Sequence, residues 1–157
     1  MLVDYRDPIL KQVSEPFDFK NPPFDPIEFS QELVKTMYES GAICLAAIQV
    51  GIPYRIFAMR GSPENFVCFN PKMVMPSDVS IRMEETSVTT PGLTVKVLRP
   101  QHVKVRFATP NSEVRTETFT GITSRAFQQS LDFLDGIDYT KKANPIHRTQ
   151  ALRKWKR

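Results

Sequence analysis

Between residues 43 and 119 the chain reads as a series of short strands, and the two-residue alternation of a half-buried strand is clearest in HVKVRFA. Val103, Val105 and Phe107 fall on one face there, and Lys104 and Arg106 on the other. Pro110, Asn111 and Ser112 supply a turn into EVRTETF, which predicts a β-hairpin. A chain whose middle is committed to strands places its helices at the flanks. Prolines 16, 22, 23 and 26 keep the first quarter extended. Asp25 can then cap a helix with Pro26 in its first turn. Leu33, Val34, Met37 and Tyr38 recur at helical spacing until Gly41, which predicts a helix over about 26–40. A second helix is expected over about 123–135, where Ala126, Phe127, Leu131 and Leu134 make a stripe wide enough for deep burial and Gly136 ends it. The last segment, NPIHRTQALRKWKR, predicts a short basic helix that docks Ile146, Leu152 and Trp155 and keeps its cations wet. The expected class is α+β: short, mostly antiparallel strands around a buried central helix.

Length bounds this further. A chain of 157 residues with 41% hydrophobic content suits one domain over 1–157, burying about 68–70% of its unfolded surface. No run approaches the apolar length of a membrane span, and MLVDYRDPILKQV lacks the apolar core of a secretion signal. The expected setting is the cytoplasm, or a particle assembled there, without membrane contact. Cys44 and Cys68 have neither metal-site spacing nor the density of a disulfide framework. With only His102 and His147 available, a structural zinc is not expected.

Charge is unevenly placed. The formal net charge is +4, yet no acid follows Asp138, while Lys141, Lys142, Arg148, Arg153, Lys154, Lys156 and Arg157 carry seven positive charges. Subtracting those seven from +4 leaves −3 on the rest of the chain. Together with Trp155, the basic tail 141–157 is the candidate surface for a partner, either an acidic protein or phosphate-rich RNA such as a ribosome presents. The alternative is a solvated helix face.

Three segments carry a family resemblance. Residues 36–51 read TMYESGAICLAAIQVG, residues 84–92 read EETSVTTPG, and residues 128–136 read QQSLDFLDG. In this order, and after the N-terminal piece RDPILKQVSEPF, they resemble the three signature segments of the peptide deformylases. Leu45, Ala46, Ala47, Gln49, Val50 and Gly51 match the first signature, whose two early glycines are Ala42 and Cys44 here. Glu85 and Pro91 hold the register of the second, and Asp132, Leu134, Asp135 and Gly136 that of the third.

The resemblance implies a divalent metal held by a cysteine and two histidines, with a glutamate to move a proton. Those positions fall on Ser87, Gln129, Phe133 and Ser130. A serine hydroxyl ionises far less readily than a thiol, an amide is a poor ligand and a phenyl ring is none. No metal or other cofactor is therefore expected, and the four residues are expected to fill the former site: Phe133 as core, Gln129 and Ser87 as hydrogen-bonding groups, Ser130 as a small helix residue.

The substrate groove implied by the resemblance keeps more of its residues. Leu45, Ala46, Gln49 and Val88 are the groove candidates. Gln49 stands where the family stabilises an oxyanion, and two readings remain open: it donates to a peptide carbonyl, or it satisfies buried strand ends. Glu85 and Arg99 are expected to form an internal ion pair, and Cys44 to be a packed thiol. The resulting expectation is a catalytically inactive deformylase-like protein retained for binding or assembly. The alternatives are a structural subunit of a ribosome-associated particle or virion, and a residual formyl-peptide hydrolase with a relocated or absent metal.

Overall fold

The computed structural model describes residues 1–156, so Arg157 of the basic tail lies outside the described residues. Helix α1 spans Pro26–Glu39, with the Asp25 carboxylate accepting from the N–H groups of Ile27 and Glu28 as expected of its cap. Leu33 and Met37 are buried on its inner face, while Tyr38 is exposed and bonds outward to Asn65.

The strands are β1 (Cys44–Ala46), β2 (Ile56–Met59), β3 (Phe66–Pro76), β4 (Ser80–Ser87), β5 (Thr90–Pro100), β6 (His102–Ala108) and β7 (Val114–Thr120). They divide into a five-stranded antiparallel sheet in the order β1-β2-β3-β6-β7 and a separate two-stranded ribbon, β4-β5. The expected hairpin is β6-β7, with Val105 opposite Glu117. Strands β3 and β5 are longer than expected, at 11 residues each.

Helix α2 (Gly121–Leu134) packs against strands of both sheets. Ala126, Phe127, Phe133 and Leu134 join Phe57, Val95, Val97, Val103, Val105 and Phe107 in the main core, and Leu131 packs on its edge. Beyond α2, Gly136 has a φ of +68°, and a side chain there would stand 2.5 Å from the Lys11 carbonyl oxygen. Only glycine fits where the chain turns that close to the N-terminal segment. A second cluster sandwiches the other face of the sheet against α1 and the N-terminal aromatics Phe17, Phe19 and Phe24. Asn70 clamps that segment, accepting from Phe17 N–H at 2.8 Å and donating to its carbonyl at 3.0 Å.

The tail folds as helix α3 (Pro145–Trp155), capped by Asn144, and lies across β5. The Trp155 indole N–H donates to the Pro91 carbonyl at 2.9 Å, and its ring meets Tyr5 edge-on with centroids 5.0 Å apart. Ile146, expected to dock, is 72% exposed instead, because it falls on the outer side of the first helical turn.

Candidate functional site

Edge strand β1, the end of β4 and the first half of α2 enclose a cavity of about 390 Å³. Residues 41–44 form one wall and 83–88 the facing one, with Ile122, Arg125, Ala126 and Gln129 between them. The Ile43 carbonyl accepts from Arg60 N–H at 2.9 Å. The alternation of an antiparallel ladder therefore turns the main-chain groups of Cys44 away from β2, onto the free edge beside the cavity.

Behind this cavity the polar side chains bond to one another. Gln49, in the tight turn after β1, accepts from Ala46 N–H at 2.9 Å and donates to Ser87 Oγ at 3.2 Å and Thr89 Oγ1 at 2.8 Å. Ser87 Oγ also accepts from Thr89 N–H at 3.3 Å. Gln129 donates to the Thr86 carbonyl at 3.1 Å and accepts from the Cys44 thiol at 3.7 Å. Burial pushes the Cys44 thiol up to about 11. Cys44 and Cys68 are both buried and free.

Below lies a chain of buried charges. Glu85 accepts two bonds from Arg99, at 2.6 and 2.9 Å, and a third at 2.8 Å from Arg125. Arg99 approaches Asp132 at 3.0 Å as an ion pair without hydrogen-bond alignment, and Asp132 accepts from Lys142 at 2.6 Å. Burial alone would lower the Arg99 guanidinium, but Glu85 and Asp132 together hold it above its ordinary value. Burial pulls Arg125 down, opposed by Glu85 and aided by Arg99. Arg125 also donates to the carbonyls of Ile81, Met83 and Val97, so it fastens both strands of the ribbon to α2. A two-stranded ribbon is marginal alone, and this guanidinium adds a polar anchor to the burial of Leu93, Val95 and Val97 in the main core.

Among the described residues no three His, Cys, Asp or Glu side chains gather where they could hold a metal ion. His102 is exposed on β6, and His147 sits on α3, accepting from Lys96 N–H at 3.3 Å.

The sequence model of polypeptide deformylase matches residues 1–149. The chain belongs to the polypeptide deformylase family. It is 30% identical over 158 residues to the peptide deformylase of Maricaulis maris, covering 96% of this chain and 88% of that one. It is also 30% identical over 131 residues to a peptide deformylase-like protein of Agrobacterium fabrum, covering 83% and 80%. The peptide deformylase of Plasmodium falciparum has the same fold, with a TM-score of 0.90 at 28% identity over 99% of this chain and 93% of that one.

Within the deformylase fold the expected site residues separate. Ser87, Val88 and Gln129 line the 390 Å³ cavity, whereas Phe133 lies one helical turn past Gln129, tilted against Tyr139 with ring centroids 6.1 Å apart. Ser130 is buried, and its hydroxyl has no hydrogen-bond partner among the described residues. The side chains of the groove candidates Leu45 and Ala46 have no exposure and point into the two cores on either side of the sheet, which leaves only their main chain to border a groove. Gln49 is likewise enclosed, 2% exposed, and its amide serves the internal ring of bonds. In the tail, Lys142 and Arg148 are engaged with Asp132, Asp138 and Thr140, and Trp155 is docked; Lys141, Arg153, Lys154 and Lys156 are exposed.

Arg125, Thr89 and Lys142 as members of these networks escape a reading of the sequence. One signal was available for Arg125. It stands four residues before Gln129 and eight before Phe133 on the stripe of a helix expected to be buried, where a charge has to find a partner.

Proposed function

We propose that this deformylase-family protein does not hydrolyse formyl peptides and serves as a binding or assembly module. The observation that carries the reading is the closed set of bonds joining Gln49, Ser87 and Thr89. The donor by which the family resemblance would stabilise an oxyanion is spent on two hydroxyls, and one of these occupies the position of the resemblance's metal-binding thiolate.

The residues at the metal positions do not fit a divalent ion. Ser87 Oγ already accepts two hydrogen bonds, the Gln129 amide is engaged at both ends, and Phe133 offers a ring. None of the three brings the negative charge that a cation needs in a partly buried site. Burying the ring stabilises the fold by about 1.5–3 kcal/mol, which offsets part of what a bound metal would contribute.

What the geometry supports is recognition. A free strand edge at Cys44 beside an apolar cavity suits an extended peptide added as a further strand, with one side chain inserted. Metal analysis of the purified protein, together with an assay on formyl-Met-Ala-Ser, tests the loss of chemistry; stoichiometric metal with turnover overturns it. Isothermal titration and amide chemical shifts with the same peptide test the groove, and silence in both overturns peptide recognition.

The four exposed tail cations favour a second reading, as a subunit of a larger assembly that contacts acidic protein or RNA. Native co-purification at low salt decides between the two. A stable stoichiometric assembly selects this reading, and a free protein that takes up the peptide selects the first.

A further inference from the structure

Past Phe133 the same stripe of α2 borders a second cavity, of about 560 Å³, roofed by α3 and closed at one end by the N-terminal segment. The Ser87–Thr90 turn separates the two: Ser87 and Val88 face the first cavity, Thr89 and Thr90 the second. The size lies within the roughly 300–1,000 Å³ of small-molecule sites. Its wall is apolar, with Leu93, Phe133, Leu152 and Trp155. Its mouth is cationic.

Lys11, Lys141 and Lys156 line this mouth, are exposed, and form no ion pair among the described residues. Asp138 is paired with Arg148, whereas Asp7 accepts only from the neutral Ile9 N–H at 3.0 Å and keeps its charge. Three ammonium groups therefore face one unpaired carboxylate, and the balance at the cavity is positive. Deeper in, the hydroxyls of Thr90 and Tyr139 meet at 3.3 Å, an arrangement in which one of them keeps a hydrogen to donate.

We propose that this second cavity binds a small anion with an apolar body, a carboxylate or phosphate carried on a hydrocarbon or aromatic group. The body lies against Leu93, Phe133 and Trp155, and the head group meets the three ammonium groups at the mouth. An apolar wall supplies affinity without direction, and the lysines supply selection by charge. The proposal is independent of peptide recognition, since the Ser87–Thr90 turn stands between the two cavities.

The chain has a single tryptophan, Trp155, and it lies in this wall, so its emission reports occupancy directly. The probes are octanoate and octyl phosphate, with octanol and octylammonium as uncharged and cationic counterparts. Either anion is expected to give a saturable change, with octanol weaker by roughly tenfold and octylammonium silent. The stronger of the two anions identifies the head group. The triple variant Lys11→Gln, Lys141→Gln, Lys156→Gln alters only exposed side chains and is expected to weaken anion binding roughly tenfold, and added salt to do the same in the unaltered protein. Chemical-shift changes gathered at Thr90, Phe133 and Trp155 are the companion readout. Octanol binding as tightly as octanoate, anion binding unchanged in the triple variant, or spectra unaffected by both anions would each overturn the proposal.

Discussion

The Gln49 carboxamide donates to Thr89 Oγ1 at 2.8 Å, across 40 residues of sequence and between two buried residues. This bond and its companion to Ser87 tie the turn after β1 to the turn between β4 and β5, so one side chain connects the large sheet to the ribbon. Thr89→Val should cost about 1–2 kcal/mol, because a buried amide hydrogen loses its acceptor. Gln49→Ala should cost more, since Ala46 N–H is stranded as well. Urea denaturation of the two single variants and the double variant gives their coupling. A double variant whose loss equals the sum of the singles would show the bond to be idle.

Glu85 binds two guanidinium groups at once, so the two ways of breaking the network should differ. Glu85→Gln leaves Arg99 and Arg125 buried with reduced compensation and is expected to cost about 3–5 kcal/mol. Arg125→Met leaves the Glu85–Arg99 pair intact and should cost less overall, but it should release the ribbon. Hydrogen exchange then quickens in β4 and β5 ahead of the five-stranded sheet. Uniform quickening across both sheets would contradict the role given to Arg125.

Rebuilding the metal ligands is a test in the opposite direction. If the unaltered protein binds no transition metal, as proposed, Ser87→Cys, Gln129→His, Ser130→Glu and Phe133→His together should give a variant that binds it stoichiometrically, as measured by mass spectrometry of the metal. Phe133→His alone should only destabilise, because it removes a ring packed against Tyr139 and supplies one ligand of three. A quadruple variant that folds but remains metal-free would show that the cavity no longer has the family's shape.

Alkaline pH should weaken this fold through three buried acids, of which the Cys68 thiol is also held well above its ordinary value by burial. The Cys44 thiol is raised to about 11, mainly by burial, and the Tyr139 phenol to about 12 for the same reason. The native state therefore keeps protons that the unfolded chain gives up from about pH 9 for the thiols and about pH 10 for the phenol. Stability is highest below those values and falls as pH rises toward 11 and 12. Cys44→Ala should flatten the first part of this decline by about 3 kcal/mol, and Tyr139→Phe the second. In the native state at neutral pH neither cysteine should react with a disulfide reagent, and both should react once unfolded. Rapid labelling of the folded protein would contradict the burial.

Tail charge calls for substitutions, because truncation after Thr140 would also remove Lys142 from Asp132 and Trp155 from Pro91. Arg153→Glu, Lys154→Glu and Lys156→Glu leave those anchors in place. If the tail contacts RNA or an acidic partner, this variant should lose an association that in the unaltered protein declines steeply with salt. Salt-insensitive association preserved in the variant would assign the contact to apolar surface.

Elements with strong local patterns were legible in the sequence. The α2 stripe, the Asp25–Pro26 start of α1 and the β6-β7 hairpin each follow from a periodicity or a cap within a dozen residues, and their observed bounds differ from expectation by two residues or fewer. The separation of β4 and β5 from the main sheet was not legible, because strand alternation says which side chains share a face and nothing about which strands become neighbours. The burial of the Leu45 and Ala46 side chains was not legible for a related reason: small apolar residues in a signature segment suit a groove wall and a core equally well. The Glu85–Arg99 pair was expected, but Arg125, Asp132 and Lys142 joined it through contacts spanning 10 to 40 residues.

The indole of Trp155 touches Tyr5 near one end of the chain and Pro91 in its middle. During synthesis this corner cannot close until residue 155 has emerged, long after both of its partners. Closure of this corner therefore falls after translation of α3, and a nascent chain halted between Phe133 and that helix would leave Leu93 and Phe133 without their cover.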